Sequence, residues 1–171
     1  QQFHYPYAIK GERELSEELR AAIDPFGEQS EVFRDLRSQL LTDFFTADKP
    51  KAALAIVSPD SGDGKTFFSA NLAVVLSQLG AKTLLVDANL RTPRQHEVFK
   101  IRNDVGLSSI LMGREESHVI HQITDLPSLF VMPATDARVA IRVEQRIALN
   151  FRVVAAVVNH QVLGAVLRLG E

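Results

Sequence analysis

Ala53-Leu54-Ala55-Ile56-Val57-Ser58-Pro59-Asp60-Ser61-Gly62-Asp63-Gly64-Lys65-Thr66 is the stretch whose reading decides the fold. Residues Ala53–Ser58 are an apolar run closing in turn formers, the pattern of a short buried strand. Lys65–Leu79 follows as a helix, with Leu72, Val75, Leu76 and Leu79 turned inward and Gly80 at the C-terminal cap. Lys82–Asp87 is a second apolar run that ends in a carboxylate. Strand, loop, helix and strand within about 35 residues predict a parallel βαβ unit and hence an α/β fold, with the two strands side by side.

The loop between the first strand and the helix has the chemistry of a phosphate site. Backbone N–H groups of a loop feeding a helix N-terminus point toward an anion, and the helix dipole adds partial positive charge. The loop and first turn, Ser61, Gly62, Asp63, Gly64, Lys65, Thr66 and Phe67, are the candidate contacts. Gly62 and Gly64 allow close approach and unusual dihedrals. Lys65 brings a point charge to the β and γ phosphates, and the Thr66 hydroxyl suits Mg²⁺. The pattern G-x-x-x-x-G-K-[ST] is met except at its first glycine, which is Pro59 here. The expected cofactors are therefore ATP and Mg²⁺. Asp87, ending the second strand, is placed to hold Mg²⁺ or its water, or to take a proton from an attacking hydroxyl; alternatively it caps the following turn.

Upstream, residues 1–11 read as an extended lead-in and 12–23 as a short helix carrying Leu15, Leu19 and Ile23. Pro25 and Gly27 end it. A second helix is predicted from Ser30 to Phe45, with Val32, Phe33, Leu36, Leu40 and Phe44 as its apolar stripe. Downstream, Gly106–Met112 and Glu115–Ile123 read as helices, and Leu129–Pro133 and Leu163–Leu167 as core strands. The domain reading is an N-terminal extension over 1–28 followed by a phosphate-loop domain over 29–171.

Of 171 residues, 46% are hydrophobic and 23% charged, a globular balance. The net charge of −2 argues against a nucleic-acid partner. With no cysteine, disulfides and thiolate metal sites are excluded. No apolar run approaches the length of a membrane span, and the N-terminal residues lack a signal-peptide pattern, so any membrane attachment is expected to come from a partner or from sequence outside these residues.

Two further segments carry a family resemblance. Leu84-Leu85-Val86-Asp87-Ala88-Asn89-Leu90-Arg91 resembles the Walker A′ motif D-x-D-x-R of bacterial tyrosine kinases. Glu31-Val32-Phe33-Arg34-Asp35-Leu36-Arg37 is similar to the E-x-x-R-x-x-R motif of the same family. The resemblance covers about residues 28–135, with a short return near Leu163–Leu167, and is strongest to the exopolysaccharide chain-length-determinant kinases of the EpsG type. It implies a P-loop NTPase fold of three layers, a mostly parallel sheet flanked by helices. It implies transfer of the γ-phosphoryl group of ATP to tyrosine hydroxyls, often in trans within a ring of subunits. Lys65 and Asp87 would then be catalytic, and Thr66, Asp87 and Asn89 would serve the metal. Glu31, Arg34 and Arg37 would mediate subunit contacts; spaced i, i+3, i+6, they share one side of a helix. Without the motif, those three charges read as a solvated face. The implied setting is the inner face of the plasma membrane in the cytoplasm, through a membrane adaptor, in exopolysaccharide or capsule export, with room for a cognate phosphatase.

The chain also departs from that pattern. Asn89 stands where the family has its second Asp, and Asn can neither act as a base nor supply charge. An apolar strand ending in Asp-Thr-Pro-Pro has no counterpart. Leu129–Pro133 resembles one part of the family sequence and Thr135-Asp136-Ala137 a later part, so either a segment holding a central parallel strand is left out of this sequence between them, or the protein is truly shortened and impaired; the first is the expectation, because a domain without that strand would leave buried backbone unpaired. The only tyrosines are Tyr5 and Tyr7, whereas the family's acceptors cluster at the C-terminus. Two other readings stand beside the kinase. A partition or septum-positioning ATPase would carry a signature lysine where this chain has Asp60. A nucleotide-binding regulator would assemble without transferring phosphate. His118 and His121 are spaced for a metal but lack a third ligand.

Overall fold

The computed structural model describes residues 15–45, 53–113 and 118–135, together with the backbone of 152–158. The expectations for residues 1–11, Tyr5, Tyr7, 114–117, Asp136 and Leu163–Leu167 lie outside the described residues. The elements are α1 (Arg20–Ile23), α2 (Glu28–Asp43), β1 (Ala53–Val57), α3 (Lys65–Ser77), β2 (Thr83–Val86), α4 (Gln95–Val98), α5 (Leu107–Leu111), β3 (His121–Ile123), β4 (Leu126–Met132) and β5 (Arg152–Val158).

The strands form one sheet in the order β1-β5-β2-β4-β3. The pairs β1–β5, β5–β2 and β2–β4 are parallel, and β3 joins the edge antiparallel to β4. Successive strand residues point to opposite faces, and here both faces are buried. Leu85, Leu129 and Val131 pack with the apolar side of α3 and with Phe33 of α2. Leu84, Phe130 and Met132 pack on the other side with Leu107 of α5, Val119 and Leu90. This is the expected three-layer α/β arrangement.

Several expectations are corrected. β1 and β2 are not neighbours, because β5 lies between them: Leu85 pairs with Val154 on one side and Val131 on the other. The central strand expected to be missing is thus supplied by Arg152–Val158, far along the chain. The helix expected over Glu115–Ile123 is absent from the described part, 118–123: its end, His121–Ile123, is a strand turned back on β4 at Thr124-Asp125, and Val119, Ile120 and Ile123 are residues that favour extended backbone. Val32 does not belong to the buried stripe of α2; it is 66% exposed, while Phe33 beside it is buried. β1 is also less enclosed than expected, alternating between exposed and half-buried residues.

Gly106 fixes how α5 meets the end of β4. The N–H groups of Leu107 and Ser108 donate to the carbonyls of Pro133 (2.8 Å) and Ala134 (3.0 Å). A Cβ at Gly106 would lie 2.0 Å from the Pro133 carbonyl oxygen, which is backbone and cannot swing aside. Gly106→Ala is expected to cost about 2 kcal/mol or more through overpacking, measured by urea denaturation. A midpoint equal to the parent's would refute this close approach.

Candidate functional site

The phosphate loop leaves β1 at Val57 and enters α3 at Lys65. Two positions in it require left-handed backbone: Gly62 at φ +95° and Gly64 at φ +83°. Nothing lies within 4 Å of a Cβ added at either, so dihedral angle and not crowding demands glycine. Gly64 is the N-cap of α3 and supplies no side-chain acceptor, so the first-turn N–H groups face out of the helix end uncapped by a side chain. The Lys65 ammonium folds back over the loop to the Ser58 hydroxyl and the Asp60 carbonyl. The Asp60 N–H donates to Asp63 Oδ2 (3.1 Å), and the Ser58 hydroxyl to the Asp60 carbonyl (3.2 Å). The Ser58 hydroxyl, the Asp60 N–H and the Lys65 charge hold the Asp63 carboxyl below its ordinary range. Phe67, expected at the nucleotide, packs its ring 6.1 Å from that of Phe33, and Phe68 lies 5.5 Å from the same ring.

Asp87 follows β2 directly, and its N–H extends the ladder to the Met132 carbonyl (2.9 Å). Its side chain is 1% exposed. Oδ1 accepts the Asn89 N–H (3.1 Å), and Oδ2 accepts those of Arg94 and Gln95 (both 3.0 Å). The carboxylate therefore does cap the next turn, at the start of α4. Burial pushes the Asp87 carboxyl up, against the pull of the Gln95, Asn89 and Arg94 N–H groups. Asn89 closes its own turn: Nδ2 donates to the Thr92 carbonyl (2.8 Å) and hydroxyl (2.9 Å), and Oδ1 accepts the Thr92 N–H (3.1 Å).

Gln95 connects Asp87 to the phosphate loop. Its side chain donates from Nε2 to the Thr66 carbonyl (3.2 Å) and the Ser69 hydroxyl (2.8 Å). A second buried amide, Asn71, clamps the N-terminal segment onto α3: its Oδ1 accepts the Ala21 N–H (2.8 Å), and its Nδ2 donates to the carbonyls of Glu18 and Phe67 (both 2.8 Å). Arg94 pairs with Glu18 (2.8 Å) and Glu97 (3.3 Å). Neither Gln95 nor Asn71 was picked out from sequence; the signal for Asn71 was a lone amide in an otherwise apolar helix face.

The three charges of the E-x-x-R-x-x-R motif, Glu31, Arg34 and Arg37, lie apart from this site. Arg34 pairs with Glu31 and reaches the Pro25 carbonyl. Arg37 donates to the Val75 carbonyl (3.0 Å). Val75 lies ten residues beyond Lys65 in α3, roughly 15 Å along the helix.

Residues 54–168 match the profile of the CobQ/CobB/MinD/ParA nucleotide binding domain. The chain belongs to that family. Within it, the expected likeness to bacterial tyrosine kinases is borne out. Over 112 residues it is 36% identical to the tyrosine-protein kinase YwqD of Bacillus subtilis, covering 66% of this chain and 46% of that protein. The domain therefore spans about half the length of this curated relative. Its backbone superposes on the chimerical protein CapA2B2 with a TM-score of 0.64 at 25% identity, over 84% of this chain and 68% of that one. It matches the kinase domain of the Escherichia coli tyrosine kinase ETK with a TM-score of 0.62 at 27% identity, over 76% and 50% of the two chains. The nucleotide-binding family accords with the expected use of ATP.

Proposed function

We propose that this domain is an ATP-dependent tyrosine autokinase. The observation that carries the reading is a phosphate loop with left-handed Gly62 and Gly64, tied through Gln95 to the strand-end carboxylate Asp87, in a chain whose relatives are tyrosine kinases. In the proposed reaction a tyrosine oxygen bonds to the γ-phosphorus of ATP. The bond to the β–γ bridging oxygen breaks, ADP leaves with that electron pair, and the phenolic proton passes to Asp87. A carboxyl whose proton affinity burial has raised is a better acceptor than a free one. Of its two oxygens, Oδ1 accepts only one N–H and keeps a lone pair for this task. Lys65 leaves Ser58 and Asp60 to meet the phosphates, and the first-turn N–H groups of α3 orient them.

Mg²⁺ fits the donor set. The Thr66 hydroxyl and Asp87 are hard oxygen donors, and Asn89 Oδ1 keeps a lone pair for a metal-bound water. No group of three or more His, Cys, Asp or Glu stands ready for a metal among the described residues. Mg²⁺ needs none, since it keeps water and takes phosphate oxygens. The ion would neutralise charge developing on the transferred phosphate.

Intact-mass spectrometry after incubation with MgATP tests the reading: increments of one phosphate are expected in the parent and not in Lys65→Ala. Nucleotide binding without any increment would favour the regulator instead. One observation keeps that second reading in play: β5, the strand beside the phosphate-loop strand, has no carboxylate in Arg152–Val158 and is followed by Asn159.

The wider setting is proposed on the resemblance: a ring oligomer, a membrane adaptor, a location at the inner face of the plasma membrane and a part in exopolysaccharide export. No helix of the described residues is long and apolar enough to cross a membrane. For the oligomer, Arg34 and Arg37 make different predictions. Arg37 is anchored within the chain, so its loss perturbs the fold. Arg34 pairs with Glu31 at the surface, where solvent screens the charges, and reaches the Pro25 carbonyl of the turn just before its own helix. Arg34→Ala is expected to shift the protein toward monomer in light scattering with little change in melting temperature; an unchanged mass would remove Arg34 from the interface.

A further inference from the structure

We propose that Gln95 is a positioning residue that sets the Asp87 carboxylate against Thr66 and thereby tunes the divalent-cation affinity of the nucleotide site. The inference rests on the reading of that loop as a Mg-nucleotide site. Gln95 is 0% exposed and opens α4. A single residue holds both halves of the site. Its main-chain N–H donates to Asp87 Oδ2 at 3.0 Å, and its side-chain Nε2 donates to the Thr66 carbonyl at 3.2 Å. The first turn of α3 therefore cannot shift relative to Asp87 without breaking a bond to Gln95. The Ser69 hydroxyl reinforces the contact, accepting from Nε2 at 2.8 Å and donating to the same Thr66 carbonyl at 3.2 Å.

The orientation of the amide follows from its partners. The Thr66 carbonyl can only accept, so the NH₂ end of Gln95 must face it. That leaves Gln95 Oε1 buried with no hydrogen-bond partner. A buried acceptor left unsatisfied costs stability, and an apolar residue of similar length would avoid the loss. Packing alone thus favours methionine at this position. What the amide adds over methionine is its donor end at Thr66. Outer groups that orient metal ligands change metal affinity without touching the metal.

The test is a titration of a fluorescent ATP analogue against Mg²⁺, for the parent, Gln95→Met and Gln95→Leu. Gln95→Met keeps the volume and removes both the donor and the orphaned oxygen. It is expected to melt at or above the parent's temperature, yet to need about tenfold more Mg²⁺ for half-saturation, as outer-shell losses do. Nucleotide binding in EDTA should not change. Gln95→Leu is also apolar and offers Thr66 no donor, so it should need the same excess of Mg²⁺; it carries the test if Gln95→Met does not fold. Parent-like Mg²⁺ demand in the variants overturns the proposal, as does an equal loss of nucleotide affinity with and without Mg²⁺, the mark of a purely structural role. A parent protein that binds no nucleotide at any Mg²⁺ concentration overturns instead the site reading beneath it, and the proposal with it.

Discussion

Asp87→Ala is expected to abolish phosphoryl transfer and, separately, to lower the stability of the domain by about 3 kcal/mol, because it orphans buried N–H groups that each cost about 1–3 kcal/mol and water recovers only part of that loss. The donors are those of Asn89, Arg94 and Gln95, all bonded to a carboxylate that is 1% exposed. The two effects separate in Asp87→Asn. An amide still accepts at its oxygen and so preserves part of the cap, but it cannot take the tyrosine proton. Urea denaturation should therefore place Asp87→Asn between the parent and Asp87→Ala, while phosphotyrosine vanishes from both. Transfer surviving in Asp87→Asn would remove Asp87 as the base. Parent-like stability in Asp87→Ala would contradict the capped turn.

Lys65→Ala should behave in the opposite way, with a large chemical loss and little structural one. The ammonium touches only the Ser58 hydroxyl and the Asp60 carbonyl within its own loop, so truncating it leaves the core of α3 intact. Removing a preorganised positive charge from a phosphate site is expected to cut nucleotide turnover by at least about hundredfold, the scale of losing one transition-state donor. Melting should stay close to the parent value. Persistent phosphorylation in this variant would mean that the loop is not where the transferred phosphate lies.

Much of the site was legible because its signals are local. The Gly62–Gly64 spacing reports a backbone requirement, and the unbroken apolar runs Leu84–Val86 and Leu129–Met132 report two covered sheet faces; neither depends on distant partners. What escaped reading depends on them. Val153–Val158 is an apolar run like several others, and nothing within it says that it belongs between β1 and β2. Gln95 and Asn71 are unremarked polar residues until the carbonyls and N–H groups of other elements arrive beside them. Arg37 looks like a surface charge by helical spacing, because periodicity does not reveal that the Val75 carbonyl lies across from it. The antiparallel β3 was hidden for a further reason: three residues are too few to establish a period.

The position of β5 bears on how the molecule is made. During synthesis β1 and β2 emerge early, but the strand that must lie between them arrives about a hundred residues after β1, a long-range closure of the kind that slows folding. Until then a nascent chain presents two open strand edges around an empty central lane. Such edges readily pair with other chains. Ribosome-bound intermediates and fragments ending before Arg152 should therefore depend on chaperones or aggregate, and burial of the phosphate-loop strand should be among the last events of folding.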